Sequence, residues 1–285
     1  MPLRRFNTHS SARQRIPETY DLTSRISSLK GSCVSGPYTE VNQCNLRDSG
    51  KLVAVKLYKS MSGYPRENHS ERLNAIALII KKIHPELQLL SSNLLHHVNI
   101  VPFLGFKKDK PFHSLVIPWM PDGTVTSFIR THKAVLETAA KATLLHDISS
   151  GLEYHFGLSI ILGGFTNLSV TYTDAKIGAV AWAAPELFSD SHDSRGQDPS
   201  LPSDVYSFAC LMYLIFTGSH LWNVTGRIAE TNIMLRVRKG ERPSRPGAIN
   251  DTRYWSLIEE CWDQKPSLRP KISDVLLQLR NITPV

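Results

Sequence analysis

Hydrophobic and polar positions change their rhythm along this chain. Residues 1–20 are mostly polar and carry no period, which predicts a disordered tail. Lys51-Leu52-Val53-Ala54-Val55-Lys56-Leu57-Tyr58 is rich in β-branched residues and follows the turn Asp48-Ser49-Gly50. Cys44–Leu46 and Leu52–Tyr58 therefore read as a hairpin. Residues 60–70 read as a polar loop, and Leu73–Ile83 as a helix that Pro85 interrupts. Ile100–Phe106 and Leu115–Trp119 predict two further strands around a turn at Lys107–Pro111. Beyond residue 120 the period becomes helical. Ala140, Leu144, Ile148 and Leu152 recur every four residues and predict one buried helix face. Ser203 reads as the N-cap of a helix over Asp204–Thr217, with Gly218 as its C-cap. Ile228–Lys239, Ser256–Trp262 and Ser273–Arg280 complete the predicted helices. A small β-rich lobe followed by a larger helical lobe is the expected α+β architecture.

Composition narrows the class. The chain has 285 residues, 41% of them hydrophobic and 20% charged, the balance of a soluble globular protein. Its longest apolar stretch, Val205–Phe216, falls short of the ~18 residues a membrane span requires. Four scattered cysteines (Cys33, Cys44, Cys210, Cys261) suggest neither a disulfide framework nor a zinc site. A cytoplasmic setting is expected, with a nuclear one as the alternative. The formal charge is +8, and half of it sits in residues 1–30. A basic tail can attract nucleic acid or anionic lipid. No aromatic-interleaved basic stripe accompanies it, so a solvated terminus is the plainer reading and no specific nucleic-acid partner is expected.

Six motifs then occur in a fixed order: Val53-Ala54-Val55-Lys56, His97-Val98-Asn99-Ile100-Val101, Leu115-Val116-Ile117-Pro118-Trp119-Met120, Trp182-Ala183-Ala184-Pro185-Glu186, Ser203-Asp204-Val205-Tyr206-Ser207-Phe208, and Cys261-Trp262 with Pro266-Ser267-Leu268-Arg269-Pro270. Over roughly residues 22–283 the chain resembles the protein kinases of the tyrosine-kinase-like group. The resemblance implies a two-lobed protein-kinase-like fold with residues 21–120 as N-lobe and hinge and 121–285 as C-lobe. It implies ATP and Mg²⁺ as cofactors and protein partners or substrates, with the chain expected to be a monomer. It assigns Lys56 to the nucleotide phosphates, with Gly36, Val41 and Ala54 around the nucleotide and Pro118 and Met120 as backbone contacts of the hinge. Glu86 is the carboxylate proposed to fix Lys56, a plain helix-terminal glutamate being the alternative. Glu186 and Arg269 would form a buried structural ion pair, and Asp204 would hold backbone groups of the catalytic loop. Thr171, Tyr172 and Thr173 stand in the activation segment as candidate phosphorylation sites, or as ordinary loop hydroxyls.

The pattern also fails in two places. The three glycine positions of the phosphate loop hold Val34, Gly36 and Thr39, so two positions no longer allow close backbone approach. The larger failure follows Tyr154. Gly151-Leu152-Glu153-Tyr154-His155 runs directly into Phe156-Gly157-Leu158, which resembles the end of the metal-binding Asp-Phe-Gly motif with His155 in place of the aspartate. The intervening H-R-D-x-x-x-x-N loop, on the order of two dozen residues with its following strands, is absent. His146-Asp147-Ile148 lies inside a predicted helix and lacks the arginine and asparagine. No catalytic residue and no metal ligand is retained, and ATP and Mg²⁺ binding are expected to be weakened. The reading is an impaired pseudokinase acting as a binding or regulatory module. The alternatives are an active Ser/Thr or Tyr kinase whose sequence lacks a skipped exon, and a basic nucleic-acid or membrane binder.

Overall fold

The computed structural model describes residues 20–35, 39–58, 97–109, 114–132, 136–154, 180–188, 200–222 and 227–283. Five strands form one antiparallel sheet: β1 Ile26–Ser35, β2 Thr39–Leu46, β3 Leu52–Tyr58, β4 Gly105–Lys107 and β5 Ser114–Pro118. Their order is β1-β2-β3-β5-β4. The β2–β3 hairpin closes where Leu46 N–H donates to Lys51 C=O at 2.9 Å. Gly50 completes the turn at φ 65°, a left-handed conformation that favours glycine.

Register sorts the side chains onto two faces. Cys44, Val53, Val55 and Val116 share one face and pack with Leu22, Ile26 and Leu46 as the core of this lobe. Val41, Ala54, Lys56, Leu115 and Ile117 occupy the opposite face.

The strand expected over Ile100–Phe106 forms only from Gly105. Pro102 has no N–H to give a ladder, so the chain before Leu104 stays irregular. Residues 20–25 cover the outer edge of β4. Asp21 bridges Phe106, and Leu22 N–H donates to Phe106 C=O at 2.8 Å. Asp21 also accepts from Lys108 Nζ at 2.6 Å and Thr23 N–H at 2.9 Å. The Lys108 hydrogen bond, followed by that of Thr23, lowers its carboxyl pKa to about 2. Gly105 makes this crossing possible. A Cβ there would stand 2.3 Å from Tyr20 C=O, and its φ of 155° is one that side chains rarely adopt. Gly105→Ala is expected to destabilise the fold by about 1–3 kcal/mol, measured as the shift of a urea midpoint; an unchanged midpoint would show that the covering segment contributes nothing.

Among the described residues six helices follow: α1 Val125–His132, α2 Thr138–Tyr154, α3 Leu201–Thr217, α4 Arg227–Arg238, α5 Thr252–Cys261 and α6 Ile272–Ile282. Helix α3 is the centre of their core, with α1, α2 and α5 packed on it and α6 joining α2 to α5. Its apolar residues are buried nearly all round, including Tyr206, Met212, Leu214 and Ile215.

Two helix details differ from the sequence pattern. The N-cap of α3 is Ser200, not Ser203. Ser203 sits in the first turn and closes a reciprocal box, its Oγ accepting from Ser200 N–H at 2.8 Å. Pro202 needs no N–H in the first turn, so the helix starts before it rather than after. The buried face of α2 is Ala142, Leu145, Ser149 and Leu152, whereas Ala140 is exposed. A strict four-residue spacing drifts around a helix of 3.6 residues per turn, so Leu144 and Ile148 flank the buried face instead of forming its centre. Helix α1 is absent from the pattern reading; its signal is Thr124, whose Oγ1 caps Ser127 N–H at 3.1 Å.

Candidate functional site

The sheet brings part of the predicted nucleotide site together. Val41 pairs with Lys56, and Lys56 with Leu115, while Gln43, Ala54 and Ile117 form the adjacent row. Direct cross-strand neighbours share a face. Val41, Ala54, Lys56 and Ile117 therefore line one surface, with the Lys56 side chain half-buried. Val34 stands opposite Val41 in β1. Gly36 and Glu86 lie outside the described residues, as do the predicted helix over Leu73–Ile83, residues 1–19, His155, Phe156, Thr171, Tyr172 and Thr173.

After β5 the chain leaves the sheet through a turn. Trp119 N–H donates to Leu52 C=O at 3.3 Å, and Gly123 N–H to Met120 C=O at 3.1 Å. Gly123 has φ 73°. The Met120 carbonyl keeps a second lone pair for an acceptor role, and its side chain is exposed.

The end of α2 is held against the segment before β4. His97 stacks on Tyr154 with ring centroids 4.8 Å apart, and its Nδ1 accepts from Asn99 N–H at 3.1 Å. A Cβ on Gly151 would meet Asn99 C=O at 2.8 Å. Gly151 thus allows a close approach that no side chain permits. Gly151→Ala is expected to cost about 1–3 kcal/mol and to release the stack, read as a lower melting temperature with raised Tyr154 exposure to a fluorescence quencher; neither change would mean the helix yields without cost.

Glu186 and Arg269 meet in the helical lobe. Arg269 Nη1 and Nη2 donate to the two Glu186 carboxylate oxygens at 2.7 and 2.8 Å. The guanidinium is fully buried and also donates to Asp263 C=O at 2.9 Å and Pro202 C=O at 2.8 Å. Every branch of the fork is used, joining the segment at Glu186, the start of α3 and the end of α5. Asp204 is buried in the first turn of α3.

Sequence reasoning missed two partners of this cluster. Arg242 donates to Trp262 C=O, Val237 C=O and Gln264 Oε1, and so ties the C-terminal ends of α4 and α5 together. Tyr206 lies beneath both guanidiniums, with their carbons 5.0 and 5.1 Å from its ring centroid. Burial pushes its phenol well above the usual range, so it stays neutral. Arg242 gives no sequence signal, because its partners are mainly backbone carbonyls.

The family model for protein tyrosine and serine/threonine kinases matches residues 28–161 and 155–279. The chain belongs to the protein kinase family. The match comes in two segments that both include residues 155–161, at the junction where the catalytic loop is missing from the sequence. A "probable serine/threonine-protein kinase" of Dictyostelium discoideum is 28% identical over 84% of this chain and 18% of its own length. A serine/threonine-protein kinase of Arabidopsis thaliana is 24% identical over 81% of this chain and 40% of its own. A receptor-type guanylate cyclase of Caenorhabditis elegans is 25% identical over 84% and 24%. The kinase-like chain therefore spans less than half the length of each of these relatives. Among its described residues no helix is long and apolar enough to cross a membrane.

Proposed function

We propose that this kinase-fold domain is catalytically impaired and works as a protein-binding or regulatory module. The observation that carries the reading is the junction after Tyr154. The residue two places on is already the Phe of Phe156-Gly157, so the base, the asparagine and the metal-binding aspartate have no counterpart. Phosphoryl transfer depends on positioning and on neutralising phosphate charge. Lys56, the side chain assigned to the phosphates, brings one positive charge. Kinase-fold domains use Mg²⁺ to supply the remainder, but the position of its aspartate ligand here holds His155. Magnesium prefers oxygen ligands, so the residues present do not fit that ion, and no step is assigned to it.

Nucleotide itself fits in part. Lys56, Val41 and Ala54 stand on one sheet face, and the Pro118 and Met120 backbone follows it, whereas the phosphate loop has kept one glycine of three. ATP is expected to raise the melting temperature only slightly, equally with Mg²⁺ or with a chelator. A large Mg²⁺-dependent shift would overturn the impaired reading. Similarity to a receptor-type guanylate cyclase, a protein named for another activity, agrees with a module that need not transfer phosphate itself.

One observation favours a second reading. The matched segments flank the gap with intact motifs on both sides, as an omitted exon would leave them. Reading the gene and its transcripts across the codon for His155 separates the two. An in-frame catalytic loop there would make the parent an active protein kinase, and its absence would remove that reading.

A further inference from the structure

The chain's charge of +8 is carried by two segments. Residues 1–30 hold +4, and residues 236–253 hold six cations against Glu241 and Asp251, another +4; the remainder is neutral. The second segment runs from the last turn of α4 to the first turn of α5. Arg236 is paired with Glu241 and Arg253 with Asp251. Lys239, Arg242 and Arg245 are different. Lys239 and Arg245 are exposed and Arg242 is half-buried, and among the described residues none has a carboxylate at ion-pair distance. Arg242 is held by Trp262 C=O, Val237 C=O, Glu241 C=O and Gln264 Oε1. Arg245 is held by Ile249 C=O at 2.9 Å and Asn250 C=O at 2.5 Å. The carbonyls fix both guanidiniums without a carboxylate at ion-pair distance, and Arg245 acts on Asp251 only at longer range. Pro243 and Pro246 stiffen the loop between them.

We propose that Lys239 and Arg245, with the charge of Arg242 between them in sequence, form a docking surface for an acidic protein segment. The proposal rests on the domain being a binding module. The Arg245 guanidinium is ordered before binding and so loses little further freedom on contact, and the N–H groups it has not used match a carboxylate, whereas Arg242, with all its donors used, adds only charge. The neighbouring acids select against a uniform polyanion. Glu259 and Asp263 line the shallow cleft beside Arg242 and Trp262. A nucleic-acid duplex, with a charge about every 1.7 Å of its axis, cannot avoid them. A peptide places its carboxylates at intervals and can.

The test uses the full chain and a fluorescent Glu-rich peptide, titrated at several salt concentrations. The variants are Lys239→Glu with Arg245→Glu, and Lys239→Glu alone in case the loop of the double variant fails to fold. Lys51→Glu with Arg47→Glu, both exposed on the β2–β3 turn, makes the same charge change elsewhere. The double variant is expected to weaken binding by at least about tenfold and the single variant by about threefold, with the turn control within about twofold. Equal losses in strip and turn variants would overturn the proposal, since net charge would then explain binding. Tighter, strip-dependent binding to duplex DNA or phosphatidylserine vesicles would overturn the choice of partner. Phosphoryl transfer by the chain would count against the module reading, whereas the titration, done without ATP, reports on the strip alone.

Discussion

Arg269→Ala is expected to destabilise the helical lobe by about 3–5 kcal/mol. The substitution removes four hydrogen bonds at once, two to Glu186 and two to the Asp263 and Pro202 carbonyls. It leaves the Glu186 carboxylate, only 10% exposed, without its counter-ion. A typical domain has about 5–15 kcal/mol in total, so the variant stands close to unfolding. Arg269→Lys should recover little, since an ammonium cannot satisfy a two-pronged carboxylate and two separate carbonyls together. Glu186→Gln combined with Arg269→Met should cost less than Arg269→Ala alone, because neither partner is left charged. Urea midpoints of the four proteins check the series. A loss below about 1 kcal/mol for Arg269→Ala would mean that solvent compensates Glu186 as at a surface pair.

The second large effect concerns chemistry. Loss of a positioned general base alone commonly lowers a rate by about 10²–10⁴-fold. Here the metal ligands are missing as well, so their losses compound. Inserting a His-Arg-Asp-x-x-x-x-Asn loop with its following strands and metal-binding aspartate between Tyr154 and Phe156 should therefore create measurable phosphoryl transfer. Recovery should stay below that of an intact kinase, because Val34 and Thr39 replace glycines that the insertion does not restore. An inserted protein that folds, binds ATP with Mg²⁺ and still transfers nothing would show that the defect reaches beyond the junction.

The motifs carried most of the fold because they combine local pattern with fixed order. The β2–β3 hairpin was legible from Asp48-Ser49-Gly50 and the alternation after it. Helix α1 was not, since its apolar positions Val125, Phe128 and Ile129 cover little more than one turn. The start of α3 was misplaced at Ser203, an N-cap residue type, whereas Ser200 caps the helix and the first turn accepts Pro202. The pairing of Glu186 with Arg269 could be proposed because two charged residues stand in recognisable motifs. Arg242 and Gly151 could not be found that way. Their partners are backbone carbonyls far along the chain, and a carbonyl leaves no trace in residue identity. The face shared by Val41, Ala54, Lys56 and Ile117 follows from register, which the period of two residues specifies once the hairpin turn is known.

We propose that the domain binds without transferring phosphate. The direct measurement is incorporation of radiolabelled γ-phosphate from ATP with Mg²⁺ into the chain itself and into a general protein substrate, compared with Lys56→Met. The account predicts no incorporation above the Lys56→Met background in either. Incorporation that Lys56→Met abolishes would contradict it, because the phosphoryl group would then be moving through this site without the residues that the junction after Tyr154 lacks.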